Sequence, residues 1–430
     1  MPKTIIFLLD GTANDATVDS FSNVYAINQL IDESKLIKSA KGSKRQAQIT
    51  FYMPGVGTKF TVKRAIEREK KGILSIGART DTVRQQIFGD DLEQLILRAY
   101  VNLCANYREG DDVIIVGFSR GAAAARIFSR LISDFGILTS DLLLFLDRLW
   151  NEFVEISNAG TDADYRLAIS KLKAGLRSEA GREAFHGADG NGADSVGAQQ
   201  PQIRFLGLFD TVIGPFDADV PRNLNLRDQY PASSVRHIVH LLSMHDVRSE
   251  YELKRFLRPQ NLPETLREIW LPGVHADVGG GYTEDLLSSI SLLTMADLLE
   301  ELGGVAINKT AYALVAEKIK RRVSDQRYVI NKEPLVASRK NRSVNDQDEL
   351  HPAHWFLVGK SVFWKQFDKT RIYENRTAQN PGAVERALDK QFQTWVAAEE
   401  RKLAKKKTTA RKGTKVAKPR SRSSRGTERP

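Results

Sequence analysis

The stretch DDVIIVGFSRGAAAAR, residues 111–126, has the residue types and spacing of a nucleophilic turn. Ser119 stands between Gly117 and Gly121, after four apolar residues and before four alanines. A catalytic serine on a sharp strand-to-helix turn needs such small neighbours, because the strand and helix backbones nearly touch there. The helix N-terminus then directs N–H groups and a partial positive charge at the serine, which suits a developing oxyanion. The pattern predicts a nucleophile; the alternative is a structural turn.

A serine nucleophile needs a general base, and the base needs an acid that orients it. The expected chain order is serine, then Asp or Glu, then His, each just past a strand. Asp210 closes the apolar run IRFLGLFD, and His275 follows the strand-like EIWLPG within LPGVHADVGGGY. The sequence therefore predicts a catalytic triad of Ser119, Asp210 and His275.

Other histidines and acids compete for the same two roles. Asp277 lies two residues beyond His275, and His351 in DELHPAHW comes late in the chain and could return to the site. The remaining histidines have less favourable settings, in a Gly- and Asp-rich loop, beside an apolar strand or late in the chain: His186, His237, His240, His245 and His354. The sequence favours Asp210 and His275 and leaves Asp277 and His351 as alternatives.

The oxyanion formed during acyl transfer needs two backbone N–H donors. The first is expected from Arg120, the residue after the nucleophile, and the second from an early strand-to-helix loop. The stretch LLDGTAND fits that loop, with Gly11 and Thr12 as substrate-binding candidates. Asp10 would organise the loop rather than carry a proton. The alternative interpretation is an ordinary Asp-Gly turn.

Two other classes of function remain open for the same residues. A metal ion that assists phosphoester cleavage could be held by oxygen and nitrogen ligands from a set of four residues: Asp10, Asp210, His275 and Asp277. An inactive scaffold that binds a partner is the non-enzymatic alternative. The serine mechanism requires no metal and no organic cofactor, and we expect none.

The elements that must position these residues alternate between strand and helix along the chain. Short apolar or alternating runs that end at turn residues are typical of strands, and they occur at KTIIFLLD, QITFYMPGVG, DVIIVG, IRFLGLFD, HIVHLLSM and EIWLPGV. The stretch LEQLILRAYVNLCANY has the three-to-four spacing of an amphipathic helix. This alternation predicts an α/β fold, with a mostly parallel sheet and helices on both faces, in one catalytic domain over residues 1–400.

Residues 139–200 are predicted to form a helical insertion followed by a loop. The first predicted helix carries one stripe of apolar residues: Leu142, Phe145, Leu146, Leu149, Trp150, Phe153 and Val154. A second, polar helix and then the loop HGADGNGADSVGAQQ come after it. Such a stripe usually packs into a core, and the alternative is a lid over the site. A further helix is predicted to begin at Pro381, with one face formed by Val384, Leu388, Phe392 and Trp395.

The chain has a formal net charge of +11, and its excess of cations over acids is located in the last 30 residues. Residues 401–430 contain 13 Lys and Arg and one acid, so the rest of the chain carries 51 Lys and Arg against 52 Asp and Glu. The body therefore gives no signal of a basic groove. The tail is expected to be disordered. It is either simply solvated or an electrostatic tether, in transient contact with an anionic membrane or a nucleic acid.

Cysteine content and hydropathy limit the cellular setting. Cys104 is the only cysteine, which excludes an intrachain disulfide. No apolar run reaches the roughly 18 residues that span a bilayer. The first residues, MPKTIIFLLDGTAND, carry a short apolar run that ends in an acid, unlike a secretory signal. We expect a cytoplasmic location in the producing cell, with export, where it occurs, by a dedicated secretion system.

Assembled in order, these stretches resemble an uncharacterised family of α/β-hydrolase-like domains that includes the first family of type VI secretion lipase effectors. The matching stretches, over about residues 5–285, are LDGTAND, FYMPGVGT, AYVNLCANYREGDDVIIVGFSRGAAAAR, FLGLFDTV and WLPGVHADVGGGY. For the lipase members, the resemblance implies phospholipid ester hydrolysis by a Ser-Asp-His triad. In this chain the residues of that triad would be Ser119, Asp210 and His275, and the substrate would be a lipid or another ester.

Overall fold

A computed structural model describes most of the chain. The described residues are 2–11, 20–39, 42–55, 79–156, 161–184, 200–213, 227–258, 263–333, 338–375, 377 and 392–396. The strands among them are β1 (Thr4–Leu9), β2 (Ser34–Ser39), β3 (Gly42–Met53), β4 (Asp112–Phe118), β5 (Ile203–Phe209), β6 (Val235–Ser243), β7 (Thr265–Leu271), β8 (Tyr328–Ile330), β9 (Glu349–Leu350), β10 (Ser361–Trp364) and β11 (Lys369–Ile372).

The α-helices lie between these strands. They are Asn23–Leu30, Arg79–Asn106, Arg120–Phe135, Leu146–Ile156, Asp162–Ala184, His275–Gly279, Leu286–Glu301, Lys309–Ser324 and Pro352–Leu357, with 3₁₀ turns at Leu142–Phe145 and Arg227–Gln229. We call the helix Arg120–Phe135, which follows the candidate serine, the elbow helix.

The described strands form an eight-stranded sheet and a three-stranded sheet. The large sheet has the order β2-β3-β1-β4-β5-β6-β7-β9, and only the β2–β3 pair is antiparallel. The small sheet has the order β11-β10-β8. The mostly parallel large sheet confirms the predicted α/β class. Because β1, β4, β5, β6 and β7 run parallel, the residues that follow them meet along one edge of the sheet.

The large sheet is buried on both faces, as its almost continuous apolar strands require. On one face, Phe7 packs with the elbow-helix residue Phe128, their ring centroids 5.1 Å apart. On the other face, Ile6 and Phe209 belong to a second cluster with Leu293 of the helix Leu286–Glu301. The sheet is thus the middle layer of three, and its carboxyl edge is positioned by two separate cores.

The described part of the predicted insertion packs into the first of these cores. Leu149, Trp150 and Phe153 are buried, and the Phe153 ring meets Phe135 of the elbow helix edge to face, with centroids 5.8 Å apart. The second helix of the insertion, Asp162–Ala184, adds its own buried residues to the same cluster. The stripe is therefore core here, and the loop at 185–199, with His186, lies outside the described residues.

The C-terminal part of the chain is described only in short stretches beyond residue 375. Residues 392–396 are helical, with Phe392 and Trp395 buried in the second core. The rest of the helix predicted after Pro381 and the basic tail at 401–430 lie outside the described residues. Within the described ranges, no helix is long and apolar enough to cross a membrane.

Candidate active site

Ser119 stands on the turn between β4 and the elbow helix. Its backbone has φ 58° and ψ −124°, a conformation that L-residues rarely adopt. Its N–H donates to the Phe209 carbonyl at 3.0 Å, which fixes the turn against the end of β5. A strained residue persists only where its surroundings enforce it, and such residues concentrate at functional sites. The turn therefore has the geometry predicted for a nucleophile.

The glycines on either side permit this turn. A Cβ atom on Gly117 would lie 2.5 Å from the Gly121 carbonyl oxygen, and one on Gly121 would lie 2.2 Å from that of Leu9. Both obstacles are backbone atoms, which cannot rotate away. The alanines at 122–125 are all buried, so the elbow helix lies directly against the sheet. The small residues thus bring the start of this helix next to the loop that follows β1.

Replacing Gly121 by alanine should destabilise the fold by about 2–4 kcal/mol, because the added methyl group would lie 2.2 Å from the Leu9 carbonyl oxygen and 2.4 Å from that of Asp10. Gly175, within the helix Asp162–Ala184, is the matched control, since a Cβ there meets nothing within 4 Å. Gly175→Ala should stabilise by about 0.5–1 kcal/mol. Urea unfolding of both variants checks the pair, and equal effects would contradict the close approach.

Asp210 and His275 meet at the carboxyl edge of the sheet. His275 Nδ1 lies 2.6 Å from Asp210 Oδ2, and the Asp210 side chain is fully buried. Because an ionised carboxylate can only accept, Nδ1 carries the proton, and Nε2 is the acceptor of the neutral ring. The His275 ring packs beside Phe118, the residue before Ser119, with centroids 4.7 Å apart. The predicted acid and base are therefore bonded to each other beside the serine turn.

Two residues that the sequence analysis missed hold the Asp210 carboxylate. Ser243, the last residue of β6, donates its N–H to Oδ1 at 2.8 Å and its hydroxyl to Oδ2 at 3.1 Å. Arg342 Nη1 donates to Oδ1 at 2.5 Å. Burial alone would raise the pKa of Asp210, but Arg342 and the hydrogen bond from His275 outweigh it and hold the pKa well below its usual range. The carboxylate is therefore ionised at neutral pH.

A second buried carboxylate, Asp246, lies behind this pair. Arg248 Nη2 donates to it at 2.8 Å, and Arg342 Nη2 lies 3.5 Å away. One possible ligand atom each from Asp210, Asp246 and His275 falls within 4.8 Å of the other two. Both carboxylates already bind arginine, however, and those positive charges oppose a metal cation at this point.

The metal-binding set considered as an alternative, Asp10, Asp210, His275 and Asp277, is not brought together among the described residues. Asp277 Oδ2 accepts N–H groups from Val274 and Asn331, each at 3.0 Å, so this carboxylate holds the His275 loop together. Burial raises the pKa of Asp277 to about 7, although those hydrogen bonds lower it. Asp277, the alternative acid, is thus occupied as a structural residue, while Asp210 contacts His275.

The other described histidines make hydrogen bonds away from the serine turn. His351, the alternative base, accepts the Ala353 N–H at 3.1 Å as the cap of the helix Pro352–Leu357, and its Nε2 bonds to the Thr294 hydroxyl at 2.9 Å. Burial lowers the pKa of His351 to about 3. The ring nitrogens of the rest bond to loop or strand neighbours: His237 to Thr265, His240 to Thr211, His245 to Gly273 and His354 to Tyr373.

The loop after β1 is organised by Asp10. Its Oδ2 accepts the hydroxyls of Ser22 at 2.6 Å and Tyr52 at 2.7 Å, and its Oδ1 accepts the Gly11 N–H at 2.7 Å. The Gly11 N–H is therefore engaged here, which differs from the expectation that it faces an oxyanion. Thr12 lies outside the described residues. Arg120 begins the elbow helix, in the first turn, where backbone N–H groups point out of the helix end.

A cavity of about 220 Å³ opens beyond Arg342. Tyr251 and Trp270 line it together with cationic side chains, whereas Ser119 and His275 do not. Its cations are each paired with an acid: Arg248 with Asp246, Arg255 with Glu268, Lys340 with Glu252 and Arg342 with Asp210. The cavity therefore contacts the back of the Asp210–Arg342 pair and is separate from the serine turn.

The chain is similar to several known proteins. An uncharacterised protein of Saccharomyces cerevisiae is 22% identical over 264 residues, which are 61% of this chain and 34% of the yeast protein. Two solved structures are also similar. One is an uncharacterised protein from Pseudomonas aeruginosa, with 21% identity, a TM-score of 0.35, and coverage of 75% of this chain and 53% of that chain. The other is the Tle1 effector bound to the VgrG spike of the type VI secretion system, with 20% identity, a TM-score of 0.34, and coverage of 66% and 51%.

The chain thus spans about a third of the length of the yeast relative and about half of each solved chain. Residues 3–300 match the family described as the catalytic domain of Tle1-like phospholipase effectors of the type VI secretion system. This match includes the serine turn, the buried acid and the histidine loop. The chain therefore belongs to the Tle1-like family of type VI secretion phospholipase effectors.

Proposed function

We propose that the protein is a serine ester hydrolase of the phospholipase type that acts through Ser119, His275 and Asp210. The observation that carries the proposal is the 2.6 Å contact between His275 Nδ1 and the buried Asp210 carboxylate beside a strained serine turn. Family membership supports a phospholipid ester as the substrate. We expect an acyl chain to be transferred first to the enzyme and then to water.

In the proposed reaction, His275 Nε2 takes the proton of Ser119 Oγ while that oxygen attacks the ester carbonyl. The imidazolium then gives the proton to the leaving alcohol, and Ser119 carries the acyl group. Water, deprotonated by the same nitrogen, releases the fatty acid and regenerates the serine. Asp210 keeps the proton on Nδ1 and stabilises the imidazolium throughout.

The oxyanion is proposed to accept the Arg120 N–H and one donor from the loop after β1. Gly11 can serve only if its N–H leaves the Asp10 carboxylate, to which it is bonded at 2.7 Å. Thr12 is therefore the preferred second donor. Asp10 then acts indirectly, since its bonds to Ser22 and Tyr52 fix where this loop begins.

Arg342 is proposed as a positioning residue for the acid. Arg342→Gln should lower kcat/KM about 10–100-fold, because it frees one Asp210 oxygen from its charged partner. The loss should fall on kcat rather than on KM, because the proposed role of Arg342 is to hold the acid and not to bind the substrate. Arg255→Gln, in the wall of the same cavity, is the matched control. A loss of activity that appears in KM, or an equal loss in the Arg255→Gln control, would contradict a positioning role.

A second candidate function, metal-assisted phosphoester cleavage, rests on the cluster of Asp210, Asp246 and His275. It predicts activity that chelators abolish and that survives loss of the Ser119 hydroxyl. The two arginines bound to these carboxylates disfavour it, because a cation would have to displace them.

The experiment that separates the two candidates measures the products released from phospholipid vesicles. The wild-type chain should release fatty acid, equally with and without EDTA, and Ser119→Ala should release none. Ser129→Ala is the matched control, because that buried serine lies in the elbow helix and its hydroxyl donates to the Ala125 carbonyl, away from the proposed triad. Release of a phosphorylated headgroup that stops with EDTA would favour the metal mechanism instead.

We further propose that the chain is made in the cytoplasm and exported by a type VI secretion system, in keeping with its family. The solved Tle1 effector is bound to a VgrG spike, so a spike protein is the candidate partner. Quantitative mass spectrometry of culture medium, with and without a working secretion apparatus, checks this. Equal amounts in both media would contradict the proposed export.

A further inference from the structure

The proposed acid, Asp210, stands on a second strained turn at the carboxyl edge of the sheet. Its φ is 43°, in the left-handed region that L-residues rarely adopt, as is the φ of 58° at Ser119. The Phe209 carbonyl before it accepts the Ser119 N–H, and the Asp210 N–H donates to the Leu241 carbonyl at 2.8 Å. Such a backbone persists only where neighbouring groups enforce it, so the contact on the far side of Asp210 matters equally.

That contact comes from His240, in the middle of β6. His240 Nε2 accepts the Thr211 N–H at 3.1 Å and lies 3.0 Å from the Thr211 hydroxyl oxygen. A backbone N–H can only donate, so Nε2 carries no proton, and the proton of the neutral ring is on Nδ1. Both residues are fully buried, so loss of this acceptor would leave the Thr211 N–H unsatisfied and away from solvent.

A buried carboxylate faces the opposite side of the His240 ring. Oε1 of Glu268, in the neighbouring strand β7, lies 3.5 Å from His240 Nδ1 and accepts the Phe256 N–H at 2.9 Å. Burial alone would raise the pKa of Glu268, but His240 and the Phe256 N–H outweigh it and lower the pKa to about 2. Burial in turn lowers the pKa of His240. An ionised Glu268 beside a neutral His240 is the state in which Nε2 can accept.

We propose that His240 is a positioning residue for Asp210. By accepting the Thr211 N–H, it fixes the backbone just beyond the acid in its left-handed turn, and so keeps the Asp210 carboxylate at the His275 ring. His240 touches neither the ester nor the reacting atoms, and it transfers no proton. The inference rests on the proposed function, which gives Asp210 its role as the acid of the triad.

Two substitutions of His240 differ in whether they keep the acceptor. His240→Gln places an amide oxygen as many bonds from Cα as Nε2, so it can take over the Thr211 N–H, whereas the oxygen in His240→Asn ends one bond sooner. On a short-chain ester, the Asn variant should lower kcat about 10–100-fold and change KM less than about twofold, because a displaced acid disturbs the base and not the substrate. The Gln variant should keep kcat within about threefold of wild type.

The matched control is the same substitution at another histidine of β6. His237 Nδ1 bonds to the Thr265 hydroxyl at 3.1 Å, away from Asp210. His237→Asn should therefore change kcat less than about twofold. A control that lost as much kcat as His240→Asn would show that any change in β6 impairs the enzyme, and would overturn the proposal.

A second measurement detects the contact between Asp210 and His275 without any turnover. In protein with isotope-labelled histidine, the His275 Nδ1 proton bonded to the carboxylate should give a downfield proton resonance, which is identified by its absence from Asp210→Asn. We expect His240→Gln to retain this resonance and His240→Asn to shift it upfield or broaden it. Because no substrate is present, this result does not depend on catalysis.

Urea unfolding shows whether each variant is folded. Equal kcat values for the two folded His240 variants, a loss that appears in KM, or an unchanged His275 resonance in folded His240→Asn would overturn the proposal. If the Asn variant does not fold, His240→Gln decides, since a folded Gln variant that loses the resonance or more than about tenfold in kcat would overturn it as well. The expected resonances in a protein that hydrolyses no ester would leave the positioning role intact and refute the proposed function alone.

Discussion

Replacing Ser119 by alanine is expected to lower kcat/KM for ester hydrolysis by about 10⁴-fold or more, because no other group forms the acyl-enzyme. The Ala variant removes one oxygen and leaves the turn, the elbow helix and the pair of Asp210 and His275 in place. Initial rates on a short-chain ester, which needs no membrane contact, measure the effect. Activity within about tenfold of wild type would exclude a serine mechanism.

The same position offers a control that separates chemistry from folding. Ser119→Gly should be as inactive as Ser119→Ala, yet more stable than it by about 1 kcal/mol, because glycine adopts φ 58° without strain. Urea unfolding of the two variants gives the difference in unfolding free energy. If the Gly variant were the less stable of the two, the turn would not carry the strain that its backbone angles indicate.

Asp210→Asn is expected to lower kcat/KM about 10⁴-fold at neutral pH. The amide can donate to His275 Nδ1, which favours the tautomer with its proton on Nε2 and so removes the acceptor for the Ser119 proton. The change also leaves Arg342 without its charged partner. Asp246→Asn is the matched control, since that acid is equally buried and bound to arginine but makes no hydrogen bond to His275. The control should lose less than about tenfold, and equal losses would contradict the role given to Asp210.

The low pKa of Asp210 adds a stability signature. An acid whose pKa is lower in the folded than in the unfolded chain stabilises the fold at pH values above the unfolded pKa of about 4, and this contribution is lost as pH falls. Wild type should therefore exceed Asp210→Asn in unfolding free energy by a constant amount at neutral pH, and the gap should shrink in strong acid. Unfolding curves between neutral pH and pH 2 measure it. A gap that widened in acid would contradict a carboxylate held by Arg342.

Strand ends explain why three residues of the candidate site could be placed at one sheet edge from the sequence. Ser119, Asp210 and His275 each follow an apolar run, and parallel strands bring such positions to one edge regardless of the distance between them in the chain. Gly117 and Gly121 marked the turn because only small residues fit where two backbones cross. These signals are local, so one sequence is enough to find them.

The residues that hold Asp210 gave weaker signals. Ser243 closes the run HIVHLLS, so its place at the same edge was available from the pattern, although its hydroxyl contact was not. Arg342 comes from the polar loop SRKNRSVND, 132 residues beyond Asp210, and nothing in its neighbourhood distinguishes it from other exposed-looking arginines. Long-range polar contacts of this kind depend on how loops pack, which periodicity does not encode.

The hydrogen bonds of the loop after β1 were equally hard to predict. The stretch LLDGTAND correctly suggested that Asp10 organises a turn, but the pattern did not show that its carboxylate takes up the Gly11 N–H. The edge strand β2, which pairs antiparallel with the predicted strand β3, and the two-residue strand β9 were missed, because edge strands are short or polar and lack the apolar run of buried strands.

The central claim, that Ser119 becomes covalently acylated, is tested most directly by locating an adduct. The chain would be incubated with a fluorophosphonate, digested, and analysed by peptide mass spectrometry. The account predicts one phosphonylated residue, Ser119, and no adduct when His275 is replaced by alanine, since the hydroxyl then lacks its base. An unmodified Ser119 peptide in a protein that still hydrolyses phospholipid would contradict the account.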